Sequence, residues 1–242
     1  MEARIQLCGR LVARLGGERV DDRLPGRQGR HLFAYLVVNR LRPTSRAELM
    51  DALWPGEVPP AADSALSALL SKLRRIVPIE SRPEPQIVLP AHAFVDLEAA
   101  FEAVHRAESA TRRGAWADAW APARVALHTA SRTFLAGDDA PWIEERRRQL
   151  EAVRIGALEC VAEVGIGLGG PELDSAIRAG RALTELAPLR ESGYRLLMRA
   201  LDADGNRGEA LALYDRLRTT LREQLGATPS HAARELHKAI LG

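Results

Sequence analysis

Residues 45–77, SRAELMDALWPGEVPPAADSALSALLSKLRRIV, predict two amphipathic helices joined by a proline-rich loop. Ser45 and Glu48 have the spacing of a capping box, in which the serine hydroxyl accepts from the third helical N–H and the glutamate reaches back to the serine N–H. The loop Trp54–Pro60 contains three prolines, which lack the N–H that a helix interior needs. We therefore expect the first helix to end at this loop and the loop to project into solvent.

The second helix of this stretch has one apolar face and one face that is basic and rich in hydroxyl groups. Its apolar residues follow the i, i+3, i+4, i+7 spacing of a helix with one buried side. Short side chains on the other side allow close approach to the DNA major groove, where Arg and Lys donate to phosphates and guanine edges. We predict DNA contact there, although a short charge cluster is also typical of an ordinary solvated face. The apolar residues are Leu66, Leu69, Leu70, Leu73, Ile76 and Val77, and the predicted DNA-binding residues are Ser64, Ser67, Ser71, Lys72, Arg74 and Arg75.

The sequence on either side of this stretch predicts a small sheet, a further helix and a hairpin. Residues 5–15 largely alternate between apolar and polar, as half-buried antiparallel strands do. Gln28–Asn39 predict a helix with its apolar residues on one face. Arg82–Pro90 predict a remnant hairpin, whose one clear strand is Ile87–Leu89.

After residue 96 the sequence is helix-like throughout and contains a short internal repeat. Ala176 and Ala210, and likewise Leu183 and Leu217, are 34 residues apart, which is the period of tetratricopeptide (TPR) helix pairs. The predicted core of two neighbouring helices is Tyr194, Leu197, Leu201, Ala210, Leu213, Tyr214 and Leu217. Residues outside that core pattern either form a partner surface or only keep the bundle soluble; they are Arg195, Arg199, Arg216 and Arg218.

Composition is that of an ordinary globular protein. The chain has 242 residues, of which 46% are hydrophobic and 27% are charged. No apolar run approaches the length of a membrane span, and the N-terminus lacks the form of a signal peptide. Cys8 and Cys160 form no recognisable motif, so we expect two reduced, buried thiols in a cytoplasmic protein. The first 90 residues hold 14 Arg and Lys against 10 Asp and Glu, which weakly favours a nucleic-acid contact there.

Patterns for metal, nucleotide and catalytic sites are weak. The six histidines lack ligand spacing, so no metal is expected. Gly165–Gly170 resembles a phosphate loop only in its glycines and is interpreted as a helix terminus. No nucleophile arrangement with a supporting motif is present, so we expect neither an enzyme nor a cofactor. The tryptophans are interpreted as packing residues; they are Trp54, Trp116, Trp120 and Trp142.

Two blocks of this sequence resemble a known family. They are Gly29–Arg75, with its EL-x-x-ALW segment, and Ala187–Ser230, with APLRESGYRLLMRAL and GNRGEALALYDRLRTTLREQLGATPS. The first block resembles the OmpR/PhoB-type winged helix. The whole chain is similar to the Streptomyces antibiotic regulatory protein family, which joins that winged helix to a bacterial transcriptional activator domain. The resemblance implies promoter binding, recruitment of RNA polymerase, and a polymerase-contact loop that includes Glu57 and Val58.

This sequence departs from the family at the DNA-binding side. It has Ser64, Ser67 and Lys72 where the family usually has Asn, Gln and Arg, and it lacks the glycine-tyrosine pair of the wing. The alternative interpretation is therefore a TPR-like protein-interaction adaptor with a degenerate winged helix.

The resulting prediction is a mainly α protein of two domains. Residues 1–92 form a winged helix-turn-helix with a small antiparallel β-sheet, and residues 96–242 form an all-α, TPR-like bundle that serves as the transcriptional activator domain. The predicted function is that of a sequence-specific DNA-binding transcriptional activator. The expected partners are double-stranded promoter DNA, RNA polymerase and, as an open option, a second copy of the chain; no membrane contact is expected.

Overall fold

A computed structural model describes residues 2–81 and 83–242, so Arg82 of the predicted hairpin lies outside the described residues. The chain divides into two compact units, Met1–Ala99 with Arg132–Leu150, and Ala100–Ser131 with Glu151–Gly242. The segment Arg132–Leu150 is thus part of the first unit, although the sequence assigned it to the second domain. The domain bounds 1–92 and 96–242 stay a prediction.

Helices account for most of the described residues, in agreement with the predicted fold class. The described α-helices are α1 (Gly26–Val38), α2 (Arg46–Leu53), α3 (Ala62–Arg74), α4 (Asp96–Arg112), α5 (Trp116–Ala130), α6 (Pro141–Leu168), α7 (Leu173–Leu186), α8 (Glu191–Ala203), α9 (Arg207–Leu225) and α10 (His231–Leu241). The described strands are β1 (Ala3–Gln6), β2 (Val12–Leu15), β3 (Glu18–Arg19), β4 (Ile79–Glu80), β5 (Gln86–Ile87) and β6 (Phe94–Val95).

The first unit contains a four-stranded sheet in the order β3-β2-β1-β6. The β1–β2 and β2–β3 pairs are antiparallel, as predicted, whereas β1 and β6 are parallel. Beside the parallel pair, Asp96, directly after β6, accepts the backbone N–H groups of Leu7 and Cys8 at 2.8 and 3.0 Å. Burial raises the pKa of Asp96, and these N–H donors oppose that rise.

Helices α1 and α3 bury most of the apolar residues on the faces that the sequence predicted. In α1 the apolar residues between Leu32 and Val37 lie in the core. At the start of α2, Ser45 Oγ accepts from the N–H of Glu48 at 3.1 Å, and Glu48 Oε2 accepts from the N–H of Ser45 at 3.0 Å. The predicted capping box is therefore confirmed.

The segment Arg132–Leu150 completes the first unit. Gly9 donates its N–H to Thr133 O at 2.8 Å, and Leu135 donates its N–H to Leu7 O at 2.9 Å, so the segment extends the hydrogen bonding of the chain beyond β1. Trp142 packs edge-on against Tyr35 of α1, with ring centroids 5.1 Å apart. Its Nε1 donates to the carbonyl of Ala52 near the end of α2, at 3.2 Å. This tryptophan is a packing residue, as predicted.

A turn in this segment is held by one arginine. Arg147 donates through Nε to Phe134 O at 3.0 Å, and through Nη2 to Leu135 O at 3.0 Å and Asp138 O at 2.7 Å. Leu135 has a φ of 42°, a left-handed conformation that is uncommon for a leucine. The turn places Asp138 beside α1, where its Oδ1 lies 2.9 Å from His31 Nε2.

The second unit contains the predicted helix pairs. All seven residues of the predicted core, Tyr194 to Leu217, are buried in one cluster with α10, so that prediction is confirmed. The four residues of the 34-residue repeat are fully buried; they are Ala176, Leu183, Ala210 and Leu217. Helices α7 and α8 approach closely at Gly180, where an added Cβ would lie 2.9 Å from Leu197 Cβ.

The glycine-rich segment Gly165–Gly170 is a helix terminus, as predicted. Helix α6 continues to Leu168, and Gly169 then adopts a φ of 69°. Gly167 lies against Trp116, because an added Cβ there would come within 2.5 Å of the indole. These glycines therefore serve packing and chain reversal.

Candidate nucleic-acid interface

The solvent side of α3 contains the six predicted DNA-binding residues, and all six are exposed. Leu66, Leu70 and Leu73 on the other side are fully buried and fix the rotation of the helix about its axis. Within residues 2–81 and 83–242, no carboxylate forms an ion pair with Lys72, Arg74 or Arg75; the ion pairs of the first unit lie elsewhere. Three cations at the end of α3 are therefore available to phosphate groups.

Arg46, which the sequence analysis missed, adds to this face. Its Nη2 donates to Asp63 Oδ1 at 2.8 Å and to Ser67 Oγ at 2.9 Å. The Ser67 hydroxyl therefore already accepts one hydrogen bond. In the sequence, Arg46 is marked only by its position directly after the N-cap residue Ser45. No periodicity relates it to Asp63 or Ser67, which lie on the next helix.

Asp63 also modifies the predicted basic character of this face. It lies in the first turn of α3, where a carboxylate interacts favourably with the helix dipole. Its pair with Arg46 is exposed on both sides, so we expect the pair to exchange readily with solvent ions or with phosphates. The C-terminal end of α3, with Lys72, is therefore more basic than its N-terminal end, with Asp63.

A short wing follows α3, in the position expected for a winged helix. Strands β4 and β5 pair antiparallel, with Ile79 opposite Ile87, so a hairpin is present but begins before the predicted range Arg82–Pro90. The predicted strand Ile87–Leu89 is wrong in its extent, since β5 is Gln86–Ile87. Val88 still donates its N–H to Pro78 O at 2.9 Å, but Pro78 has no N–H to donate in return, and the ladder ends there.

The base of the wing is attached to the connection between α1 and α2. Thr44 donates its N–H to Pro85 O at 2.9 Å, and Gln86 Nε2 donates to Arg40 O at 2.9 Å. These bonds hold the hairpin beside the helices although its strands are only two residues long. The described tip residues, Ser81 and Pro83–Glu84, include no cation.

The loop between α2 and α3 is exposed, as its prolines predict. Glu57 is exposed, and Val58 is 44% exposed. Gly56 in this loop has a φ of 97°, which favours glycine. Trp54 at its start is half-buried.

Metal sites, disulfides and membrane spans are not found among the described residues. No described group of three His, Cys, Asp or Glu side chains could hold a metal ion. The cysteines Cys8 and Cys160 are buried and unpaired within the described part of the chain, and burial raises the pKa of the Cys160 thiol to about 11. No described helix combines the length and the apolar composition of a membrane span.

Comparison with known proteins identifies relatives over almost the whole chain. The model of the family described as bacterial transcriptional activator domain matches residues 95–241. Regulatory protein AfsR of Streptomyces coelicolor is 31% identical over 98% of this chain, which spans only 24% of AfsR. Regulatory protein DnrI of Streptomyces peucetius is 28% identical over 98% of this chain and 91% of its own length. The chain thus spans about a quarter of AfsR but most of DnrI.

A solved structure supports the fold. The structure of Mycobacterium tuberculosis EmbR in complex with a low affinity phosphopeptide has a TM-score of 0.82 with this chain. It is 23% identical in sequence, and the match covers 99% of this chain and 65% of that one. The family match and these regulators agree with the resemblance of the two sequence blocks. The chain therefore belongs to the Streptomyces antibiotic regulatory protein family, whose members carry the bacterial transcriptional activator domain.

Proposed function

We propose that this chain is a sequence-specific DNA-binding transcriptional activator whose winged helix reads promoter DNA through α3. The observation that carries the proposal is the solvent face of α3, with six exposed polar or basic residues opposite three buried leucines. The domain bounds 1–92 and 96–242 are part of the proposal. An activator of this kind needs neither a cofactor nor a catalytic group, and it works in the cytoplasm, where its DNA is.

The geometry suggests how contacts would divide between backbone and bases. Recognition helices contact base edges mainly with their N-terminal residues. Ser64, Ser67 and Ser71 would then face the bases, and the three cations near the end of α3 would bind phosphates. Arg46 could follow Ser67 into the groove and donate to guanine or to the backbone, since its pair with Asp63 is exposed.

The second candidate function is a protein-interaction adaptor with a degenerate winged helix. Two observations favour it: Ser67 is already bonded to Arg46, and the wing strands are two residues long. The adaptor differs from the activator in a measurable way, because it has no salt-dependent affinity for DNA.

A gel shift against the DNA upstream of the chain's own operon tests the proposal. The variant K72A/R74A/R75A removes three cations, so we expect the slope of log K against log salt to fall by about 2.7. The exposed control R106A/R207A/R222A makes the same charge change on the second unit and should keep the slope. If the α3 variant binds like the wild-type chain while its circular dichroism is intact, α3 is not the groove helix. If the wild-type chain itself does not bind DNA, the adaptor is favoured.

We also propose that the exposed loop residues Glu57 and Val58 contact RNA polymerase. The support is their position between α2 and α3 together with the exposed apolar surface of Val58. An apolar side chain exposed on a loop suits a protein contact better than a DNA contact.

A further part of the proposal is that the helical region mediates protein contact, including self-association that places two winged helices on tandem sites. Two joined winged helices that each bind DNA weakly bind it more tightly together, because binding of the first raises the effective concentration of the second at its site. Of the four candidate arginines, Arg199 pairs with Glu163 at 2.8 Å and Arg218 with Asp215 at 3.0 Å, which leaves Arg195 and Arg216 as the better candidates. Light scattering of the full chain with and without operator DNA tests this: a monomer that binds one half-site at full affinity would exclude it.

A further inference from the structure

A basic groove lies between α5, α6 and α7 in the second unit, on residues that the proposed DNA contact does not use. Its volume is about 420 Å³. Three arginines line it, Arg124 from α5, Arg154 from α6 and Arg178 from α7, and its described lining contains no Asp or Glu. An excess of three positive charges around one concave surface needs a physical explanation.

The three arginines have no carboxylate partner among the described residues, whereas some arginines of the same unit do. Arg181, Arg190 and Arg199 each form an ion pair at 2.8 Å with a glutamate of another helix. By contrast, Nε of Arg154 is buried and lacks a hydrogen-bond acceptor within the described chain. Buried donors are almost always satisfied in folded proteins, so this N–H is suited to an acceptor that the protein itself does not supply.

The other two guanidinium groups are oriented by neutral partners. Arg124 lies over the ring of Trp120, with its Cζ 5.6 Å from the ring centroid. Arg178 Nη2 donates to Ser175 Oγ at 2.9 Å. Both contacts hold a guanidinium in place without neutralising it, and a guanidinium stacked on an aromatic face keeps its N–H groups at the edge free for a ligand.

The remainder of the groove is apolar. Leu127, Leu158 and Val161 line it beside the indole of Trp120. Small-molecule sites have volumes of about 300–1,000 Å³ and combine apolar walls with a few placed polar groups, and this groove has both properties. The guanidinium fork matches phosphate oxygens in a bidentate manner.

We propose that this groove is a binding site for a small phosphate monoester that carries an aromatic or apolar group. Arg124, Arg154 and Arg178 bind the phosphate, and the leucines with Trp120 cover the remainder of the molecule. The larger groove of about 790 Å³ in the same unit does not suit such an anion, because Glu108, Glu159 and Glu163 line it beside its arginines.

The test uses AMP, adenosine and inorganic phosphate as probes on the full chain, by isothermal titration and by tryptophan fluorescence. We expect AMP to bind with a Kd below about 1 mM and adenosine to bind at least about tenfold more weakly. R178Q and R124Q alter exposed side chains and should each weaken AMP binding about tenfold, whereas R222Q, far along the chain on α9, should not. W120F should abolish the fluorescence change on binding, because Trp120 lines the groove.

Three results would overturn the proposal. The first is equal affinity for AMP and adenosine, which would mean that the phosphate is not recognised. The second is unchanged AMP binding in R124Q/R178Q with an unaltered melting temperature. The third is preferential binding of a polyglutamate peptide, which would make the groove a protein-contact surface. Since DNA binding is measured separately by gel shift, failure here leaves the proposed function of α3 standing.

Discussion

Replacement of Arg147 by methionine should destabilise the first unit by about 3 kcal/mol. The side chain is 21% exposed and donates to the carbonyl oxygens of Phe134, Leu135 and Asp138. Each partly buried hydrogen bond contributes about 1 kcal/mol net, which gives the total for the three bonds. Its ion pairs are to exposed carboxylates, Asp139 and Glu144, and add only about 0–1 kcal/mol.

The same hydrogen bonds hold Leu135 in a strained conformation. Leu135 has a φ of 42°, which costs about 1–2 kcal/mol, and the bonds to Arg147 offset that cost. Urea unfolding at pH 7, followed by tryptophan fluorescence, measures the change. R147K keeps the charge, but its single ammonium cannot reproduce the fork, so we expect it to recover less than half of the loss. A loss below about 1 kcal/mol in R147M, with an unchanged m-value, would refute the role of Arg147 in holding the turn.

Three further predictions concern packing, pH and activation. Gly180→Ala should cost about 1–3 kcal/mol because its Cβ would meet Leu197, whereas Gly208→Ala, with nothing within 4 Å, should stabilise by about 0.5 kcal/mol; thermal melting of both decides this. Burial raises the pKa of the Asp138 carboxyl, but the contacts with His31 and Arg27 lower it by more, so that the pKa lies below its ordinary value. Its stabilising contribution is therefore full above its ordinary pKa of about 4 and is lost as pH falls through the lower folded value, so D138N should flatten the stability profile only in that acid range. Substitution of Glu57 and Val58 by Ser should reduce reporter transcription and leave gel-shift affinity unchanged; equal losses in both assays would mean that the loop only supports docking.

The features that were predictable from the sequence are those that local spacing encodes. The capping box of Ser45 and Glu48 requires contacts across one helical turn, and the burial of Leu66, Leu70 and Leu73 follows from helical periodicity. The predicted face of α3 rests on the same periodicity, which is why its six residues are all exposed.

What could not be predicted depends on contacts between distant parts of the chain. Arg46 meets Ser67 only because α2 and α3 cross, and no motif encodes that crossing. The role of Arg132–Leu150 in the first unit was missed for the same reason, since its helix-like composition matches the sequence that follows it. The parallel β1–β6 pair likewise joins strands that are far apart in the sequence.

The discontinuous first unit has a consequence for the order of folding during synthesis. Cys8 pairs with Phe134, and Ala52 accepts from Trp142, so the winged helix lacks part of its core until those residues have been made. At about 5–20 residues per second, the ribosome needs about 3–12 s to proceed from residue 92 to residue 150. During that interval the nascent chain exposes the apolar surfaces of α1 and α2 that later cover Trp142. Helix α3 is therefore translated early but reaches its stable packing late, and chaperones that act on nascent chains have a defined period in which to bind it.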